Sequence, residues 1–344
     1  MLPPEWATQD FIQLTFPHEG TDWAYMLDEV NACFVEIAQA ILRFQNVLIV
    51  CQDKQHTQQL LRGVKGKEIC FVELPTNDTW ARDHGGITVF EDNQKVICDF
   101  AFNGWGKKFE ADLDNQITAA LYKKGVFGED AVYRNHLDFV LEGGSIESDG
   151  EGTLLTTSKC LLSDNRNDLS KQEIEAKLKN FFGLKRVLWL HHGYLEGDDT
   201  DSHIDTLARF CTADTIAYVQ CDDRSDTHFK ELQLMEQELK AFRTLDGKPY
   251  NLIALPMADP VYHEGERLPA TYANFLIING AVLVPTYDSP KDKTAMNLLQ
   301  AAFPDRAIIG INCLPLIKQH GSLHCVTMGY STENDELRTK NDER

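Results

Sequence analysis

Four segments of this chain carry side chains that could do chemistry. The first is GDDTDSHIDTLARF, residues 197–210, in which Asp199, Asp201, His203 and Asp205 alternate. In an extended conformation all four point to one face. Three carboxylates and a histidine on a buried face require a partner, either a metal ion or a cationic ligand. An exposed acidic loop is the alternative. The second segment, LPTNDTWARDHGG at 74–86, sets Trp80 three residues before Asp83 and ends in Gly85-Gly86. A glycine pair permits a sharp turn and a close backbone approach to a ligand. The third, LEGGSIESDGEG at 141–152, puts Glu142 between a hydrophobic run and a Gly-Gly turn. The fourth, QHGSLHCVTMGY at 319–330, places Cys325 directly after His324. A cysteine nucleophile needs an accessible thiolate near a proton shuttle. His320 and His324 would suit a metal on a helix, but Gly321 between them disfavours a helix. His191-His192, at the end of a strand-like run, reads as a loop feature. No GxGxxG or GxxxxGK[ST] motif is present, so no nucleotide cofactor is expected.

Those segments must be held by regular elements. Helical periodicity marks five stretches: Asp22 to Phe44, Asp112 to Lys124, Lys171 to Phe182, Thr227 to Leu245, and Ser289 to Phe303. Ser170 with Glu173 forms a capping box, and Ser289-Pro290 is a cap residue followed by proline at the first helical position. Each helix is followed by a short β-rich run, at 46–50, 130–134, 186–190, 251–255 and 307–311. Further strand-like runs lie between. The pattern is α/β: strands, helix, strand, repeated about five times. A closed ring of five similar units fits this, with a site where the units converge. A doubly wound sheet is the generic competitor. No Pro/Gly/Ser-rich linker divides the chain, so residues 1–330 read as one catalytic domain. Residues 331–344, STENDELRTKNDER, read as a polar tail.

Composition narrows the partners. Formal net charge is -20. That argues against nucleic acid and is compatible with a small cationic substrate. No apolar run reaches the length of a membrane span, and the N-terminus carries no secretory signal, so no membrane attachment is expected. The nine cysteines lack paired spacing, which indicates free thiols and a reducing cytoplasm. Cys51, Cys70, Cys98 and Cys211 sit in apolar runs and read as small core residues.

Taken in order, these segments resemble the agmatine deiminase family, part of the guanidine-modifying group that includes arginine deiminases. The resemblance spans nearly the whole chain. It runs from PPEWATQDFIQLTFPHEGTDW (3–23) through LPTNDTWARDHGG, FNGWG (102–106), LEGGS, the LLTT and CLL stretch (154–162), DDTDSHID and YANFLIING (272–280) to GSLHC. It implies a five-bladed α/β-propeller, the pentein fold, with a central active site. It further implies that Cys325 is the nucleophile and His203 the general acid/base. Asp83 and Asp205 would grip a guanidinium, each able to accept a pair of N–H bonds, and Glu142 would be a further carboxylate near both. Trp80 would line the substrate channel, and Asp199 would lie towards the distal amine. One departure is SHIDT, with Ser202 and Thr206, where many members read GHIDN. No cofactor and no metal are implied, and homo-oligomerisation is left open.

The expected reaction is hydrolysis of agmatine to N-carbamoylputrescine and ammonia through a covalent S-alkylthiouronium. Free or peptidyl arginine is the competing substrate class, since Arg82 and Arg209 fall within the motifs. A metal-dependent hydrolase built on Asp199, Asp201, His203 and Asp205 is the remote alternative.

Overall fold

The computed structural model describes residues 1–332. It is a mixed α/β fold. All five expected helices are present: Leu27–Leu42, Ile117–Lys123, Lys171–Phe182, Phe229–Ala241 and Pro290–Ala302. Each buries a stripe at three- and four-residue spacing, such as Leu232, Met235 and Leu239, or Ile174, Leu178 and Phe182. Each such side chain, fully buried, contributes about 1.5–3 kcal/mol. Both capping boxes form, at Ser170 and Ser289. The first helix starts later than its periodicity suggests. Ala24–Met26 is a separate 3-10 turn, and Asp22 remains outside and exposed. The second is likewise preceded by a 3-10 turn, Asp114–Gln116.

Five sheets share one strand order. In four of them two strands form an antiparallel hairpin, and a helical crossover then returns the chain parallel to the second strand. These are Ile87–Glu91, Gln94–Ala101 and Val132–Val140; Ile146–Ser148, Thr153–Thr157 and Arg186–Leu190; Ala208–Thr212, Thr215–Gln220 and Asn251–Pro256; and Leu276–Ile278, Ala281–Thr286 and Ala307–Asn312. A parallel pair requires such a crossover. The fifth sheet joins both ends of the described chain. Gln9–Thr15 pairs antiparallel with Thr327–Ser331 and parallel with Asn46–Cys51, and Ile69–Glu73 is added outside. A two-stranded hairpin, Val261–His263 with Glu266–Leu268, was not foreseen from sequence.

Two readings need correction. Ser331 belongs to the closing strand, and the Thr332 N–H donates to the Thr8 carbonyl at 2.9 Å, so the paired chain runs past 330. The rest of the expected tail lies outside the described residues. Cys51, Cys98 and Cys211 are buried as expected, but Cys70 is exposed. Its strand, Ile69–Glu73, is the outer one of its sheet, and Cys70 lies near the open start of that strand while Val72, two residues on along the same face, is buried.

The closing pair is fastened by Tyr330, which is fully buried. Its hydroxyl donates to Gln13 Oε1 at 2.9 Å, and its ring packs on Phe11 and Phe127. Tyr330→Ala should destabilise the protein by about 3–5 kcal/mol. Urea unfolding measures this, and a loss below about 1 kcal/mol would show that the latch is not where we place it.

Candidate active site

Each sheet begins with a strand that is preceded, two to five positions earlier, by a polar residue of one buried cluster. Asp83 precedes Ile87–Glu91, Glu142 precedes Ile146–Ser148, and His203 and Asp205 precede Ala208–Thr212. Asn274 precedes Leu276–Ile278, and Cys325 precedes Thr327–Ser331. All are nearly or fully buried. The sequence-predicted core set therefore does come together. Asn274 is an addition, foreseeable only from its place in the fifth unit.

Asp83 lies in the short helix Ala81–His84. Its Oδ1 accepts from Gly144 N at 3.0 Å and its Oδ2 from Trp105 Nε1 at 3.0 Å. Trp105 has φ 52 and ψ 47, a left-handed conformation rare for a bulky side chain. FNGWG carries that distortion, and Asn103 supports it by accepting from Gly106 N at 2.8 Å. Gly144 faces the centre of the cluster. A Cβ there would lie 2.7 Å from His203 Nδ1, 2.8 Å from Asp83 Oδ1 and 3.1 Å from Asp205 Oδ2. Gly85-Gly86 has a different cause than a turn at a ligand. Neither has positive φ; added Cβ atoms would strike Ala81 O at 2.5 Å and the Thr118 methyl at 2.6 Å.

Within the segment 197–210, the stretch from Asp199 to Asp205 is not a continuous strand. Asp201 and Ser202 have φ 65 and 66, and Ile204–Thr206 is a 3-10 turn. The alternating face expected from sequence does not exist. Asp201 turns to Arg166 Nη1 at 2.5 Å and Lys108 Nζ at 3.0 Å. Asp205 turns inward, where its Oδ2 meets His324 Nδ1 at 2.7 Å. The four side chains share no centre, which removes the basis for the metal-hydrolase alternative. His320 and His324 also diverge: His320 Nδ1 faces the Gly197 carbonyl, and His324 faces Asp205 and Glu5. His192 pairs with Glu238 at 2.8 Å, as a loop feature would.

His203 Nδ1 is 3.7 Å from Asp83 Oδ1, and neither ring nitrogen has a hydrogen-bond partner. Glu142 Oε1 accepts from Arg166 Nε at 2.8 Å, while its Oε2 is unpartnered. A Glu142 oxygen, Cys160 Sγ and a His203 nitrogen all lie within 4.8 Å of one another. Asp205 Oδ1 is also unpartnered. A guanidinium, with its fork of N–H donors and no acceptor, suits such a set of acceptors.

Electrostatics separate these groups. Burial pushes Asp83 well above the ordinary carboxylate range, and the charges of Asp205 and Glu142 add to it. Burial would raise Asp205 too, but the hydrogen bond and charge of His324, with help from His203 and Arg209, hold it below its usual value. Glu142 is raised by burial against the pull of Arg166. Burial lowers His203 to about 3. Cys325 is raised well above a normal thiol, by burial first and by Asp205 and Asp83 next; its Sγ lies 3.5 Å from Asn274 Oδ1. Thiol and imidazole are both neutral in this state.

A pocket with about 460 Å³ of space reaches the cluster. Cys325 and Asp83 line its buried end, while Asp22, Asp78 and Asp199 are its less buried acids. Trp80, Trp105 and Phe109 supply aromatic wall. Trp80 donates from Nε1 to Asp78 Oδ2 at 2.9 Å. Trp80 and Asp199 thus both line this pocket; Asp22, Asp78, Trp105 and Phe109 line it too and were not among the residues singled out from sequence. Arg82 and Arg209, the candidate recognisers of a substrate carboxylate, do not line this pocket. Arg209 is fully buried against Glu5 and Glu147, and Arg82 lies 3.6 Å from Glu5.

A raised thiol has a measurable signature. Alkylation of Cys325 by neutral iodoacetamide should be slow at about pH 7 and still climbing beyond about pH 9, because only the thiolate reacts. A rate already level near neutrality would mean a resting thiolate and would contradict this assignment.

Comparison with known proteins places the chain. The family model described as Porphyromonas-type peptidyl-arginine deiminase matches residues 1–330. An agmatine deiminase of Pseudomonas aeruginosa (strain LESB58) is 32% identical, over 95% of this chain and 94% of its own. A Porphyromonas gingivalis structure, provisionally described as an arginine deiminase, is 57% identical with a TM-score of 0.91, covering 96% of this chain and 98% of that one. The substrate-bound structure of a cysteine-to-serine variant of C. jejuni agmatine deiminase is 41% identical, with a TM-score of 0.90 and coverage of 96% and 95%. Such deiminases are hydrolases of C–N bonds. With nearly its whole length matched, the chain belongs to the Porphyromonas-type peptidyl-arginine deiminase family.

Proposed function

We propose that this protein is an agmatine deiminase, hydrolysing agmatine to N-carbamoylputrescine and ammonia. One observation carries the choice of substrate. The pocket has acids at its buried and exposed ends, aromatic walls, and no lysine or arginine among the described residues that line it. Agmatine is a dication with an aliphatic chain between its charges, and this pocket complements it. Arginine would bring a carboxylate towards Asp22, Asp78 and Asp199, where no lysine or arginine lines the pocket and the nearby Lys108 is held by the Asp199 carbonyl and Asp201. The names of the family model and the P. gingivalis relative favour the arginine reading, so it stands as the second reading.

The chemistry follows from the resting charges. A guanidinium entering beside Asp83, Asp205 and Glu142 brings the positive charge that the thiol lacks. The Cys325 proton passes to His203, and the thiolate attacks the central guanidine carbon. His203 returns that proton to the departing nitrogen, and ammonia leaves. The S-alkylthiouronium remains on Cys325. His203 then takes a proton from water; the resulting hydroxide adds to the same carbon, the C–S bond breaks, and the thiol is restored. Asp83 and Asp205 fix the electrophile, and Glu142 stabilises the imidazolium. The grip differs from two bidentate clamps, because Asp205 Oδ2 is already taken by His324 and only Oδ1 is free of partners. Trp80 packs on the methylenes and Asp199 receives the distal ammonium. No step calls on a metal or cofactor, because the substrate carries its own charge.

We further propose that the described residues, through the closing strand Thr327–Ser331, form a single catalytic unit, a five-bladed α/β-propeller. The five sheets of one strand order support this. No described helix is long and apolar enough to cross a membrane. Nine free thiols suit a reducing cytoplasm, and the product makes a role in putrescine supply the natural one.

Agmatine should be preferred over arginine by at least about tenfold in kcat/KM, roughly 1.4 kcal/mol. Asp199→Asn should raise KM for agmatine more than it lowers kcat. Ammonia and ureido product measured with agmatine, arginine and a peptidyl arginine decide it. A preference for arginine, or one that Asp199→Asn leaves untouched, sinks the substrate assignment. Cys325→Ser should abolish turnover while substrate still binds, since an alkoxide forms far less readily than a thiolate. Substantial turnover by that variant would refute covalent catalysis.

A further inference from the structure

Behind the active site lies a second, largely buried charge network that meets the site at Asp205. Its centre is His324. One ring nitrogen, Nδ1, lies 2.7 Å from Asp205 Oδ2; the other, Nε2, lies 2.5 Å from Glu5 Oε2. Glu5 belongs to the segment before the first strand, more than 300 residues away in sequence. It is itself held: Oε1 accepts from Ile277 N at 2.7 Å, and Oε2 accepts from Arg209 Nη2 at 2.8 Å. Arg209 is anchored in turn by Glu147 and by the Phe275 carbonyl at 2.6 Å. The His324 backbone N–H donates to Asn274 Oδ1 at 2.8 Å, the oxygen beside Cys325 Sγ.

This network differs from ordinary core ion pairs because one end is an atom of the proposed clamp. Asp205 has two oxygens. His324 occupies Oδ2 and leaves Oδ1 unpartnered, so the rotation of the carboxylate is set from behind. Asp83 has no such support; its bonds come from Gly144 and Trp105. His324 Nε2 also lies 3.0 Å from Arg209 Nη2, so both a carboxylate and a guanidinium meet this nitrogen while Nδ1 meets Asp205 alone. Three carboxylates, Asp205, Glu5 and Glu147, then face Arg209 and His324, with Arg82 beside Glu5.

We propose that Glu5 and His324 are positioning residues that orient Asp205 and keep its one free oxygen turned towards the guanidinium of the substrate. The N-terminal segment thereby takes part in recognition without reaching the pocket. Glu5 holds His324, and His324 holds Asp205. Glu147 shares Arg209 with Glu5 and lies within 4.8 Å of His324, but it makes no hydrogen bond to that ring among the described residues, so it serves as the control for loss of a nearby charge without loss of the hydrogen bond. The inference rests on the guanidinium-clamp reading.

Two alkylating agents of similar size test it without turnover. 2-Chloroacetamidine carries an amidinium that the clamp should draw to Cys325; neutral iodoacetamide reports thiol reactivity alone. The ratio of their rates at Cys325 measures the clamp. Glu5→Gln should lower that ratio by about tenfold or more, the size expected for loss of a charge-assisted contact. His324→Gln should do the same, while Glu147→Gln should change it by less than about threefold, with thermal unfolding followed for all three. Equal ratios in Glu5→Gln and Glu147→Gln, with both merely less stable, would overturn the relay and leave the functional reading intact. A ratio in the unaltered protein no larger than the ratio the same two reagents show with a free small-molecule thiol would instead overturn the clamp, and the relay with it.

Discussion

Several acids and one thiol cannot all be ionised side by side where water is excluded. Everything at this site depends on how that conflict is settled. Arg166 takes part of the charge of Glu142, and His324 takes that of Asp205. Asp83, with only neutral donors, is driven towards its protonated form. Cys325 keeps its proton and His203 lacks one. A cation is the one addition that relieves all of them together. A resting site with a dormant thiol is also protected from indiscriminate electrophiles and oxidants, because the thiolate is the reactive species.

Such a cluster needs stiff supports, and the fold supplies them by repetition. Each sheet offers the few residues before its first strand, and those residues meet. Each of those strands is paired to its antiparallel partner, and side chains next to a paired strand hold their geometry better than side chains on long loops. This explains why the functional residues are spread from Asp83 to Cys325 in sequence and yet are neighbours in space.

Much of this was legible in the sequence. The five helices were read from apolar spacing and the strand after each from β-branched runs, because both periods reflect burial on one side. The polar site residues sat in glycine-flanked motifs. What escaped were features set by tertiary contact. The alternation of Asp199, Asp201, His203 and Asp205 suggested a strand face, but Asp201 and Ser202 adopt left-handed backbone that no local signal announces. Asn274 sits inside an apolar run, YANFLIING, and its role depends on neighbours 50 residues away. Arg209 looked like a substrate recogniser and is a buried anchor. Trp105 required a strained backbone to reach Asp83, which spacing alone cannot convey.

The strand that completes the sheet of Gln9–Thr15 is the last in sequence among the described residues. During synthesis Gln9–Thr15 can pair with Asn46–Cys51 at once, but its other edge waits for Thr327–Ser331. Nearly the whole chain must leave the ribosome before that edge is covered. An open strand edge is a template for pairing with another molecule. Contacts so distant in sequence also form slowly. The nascent chain therefore carries an adhesive edge until Thr327–Ser331 is made, and Cys325 joins the buried cluster with that same strand. Chaperone demand should fall on the period before release, and a truncated product lacking the final strand would be both inactive and prone to aggregate.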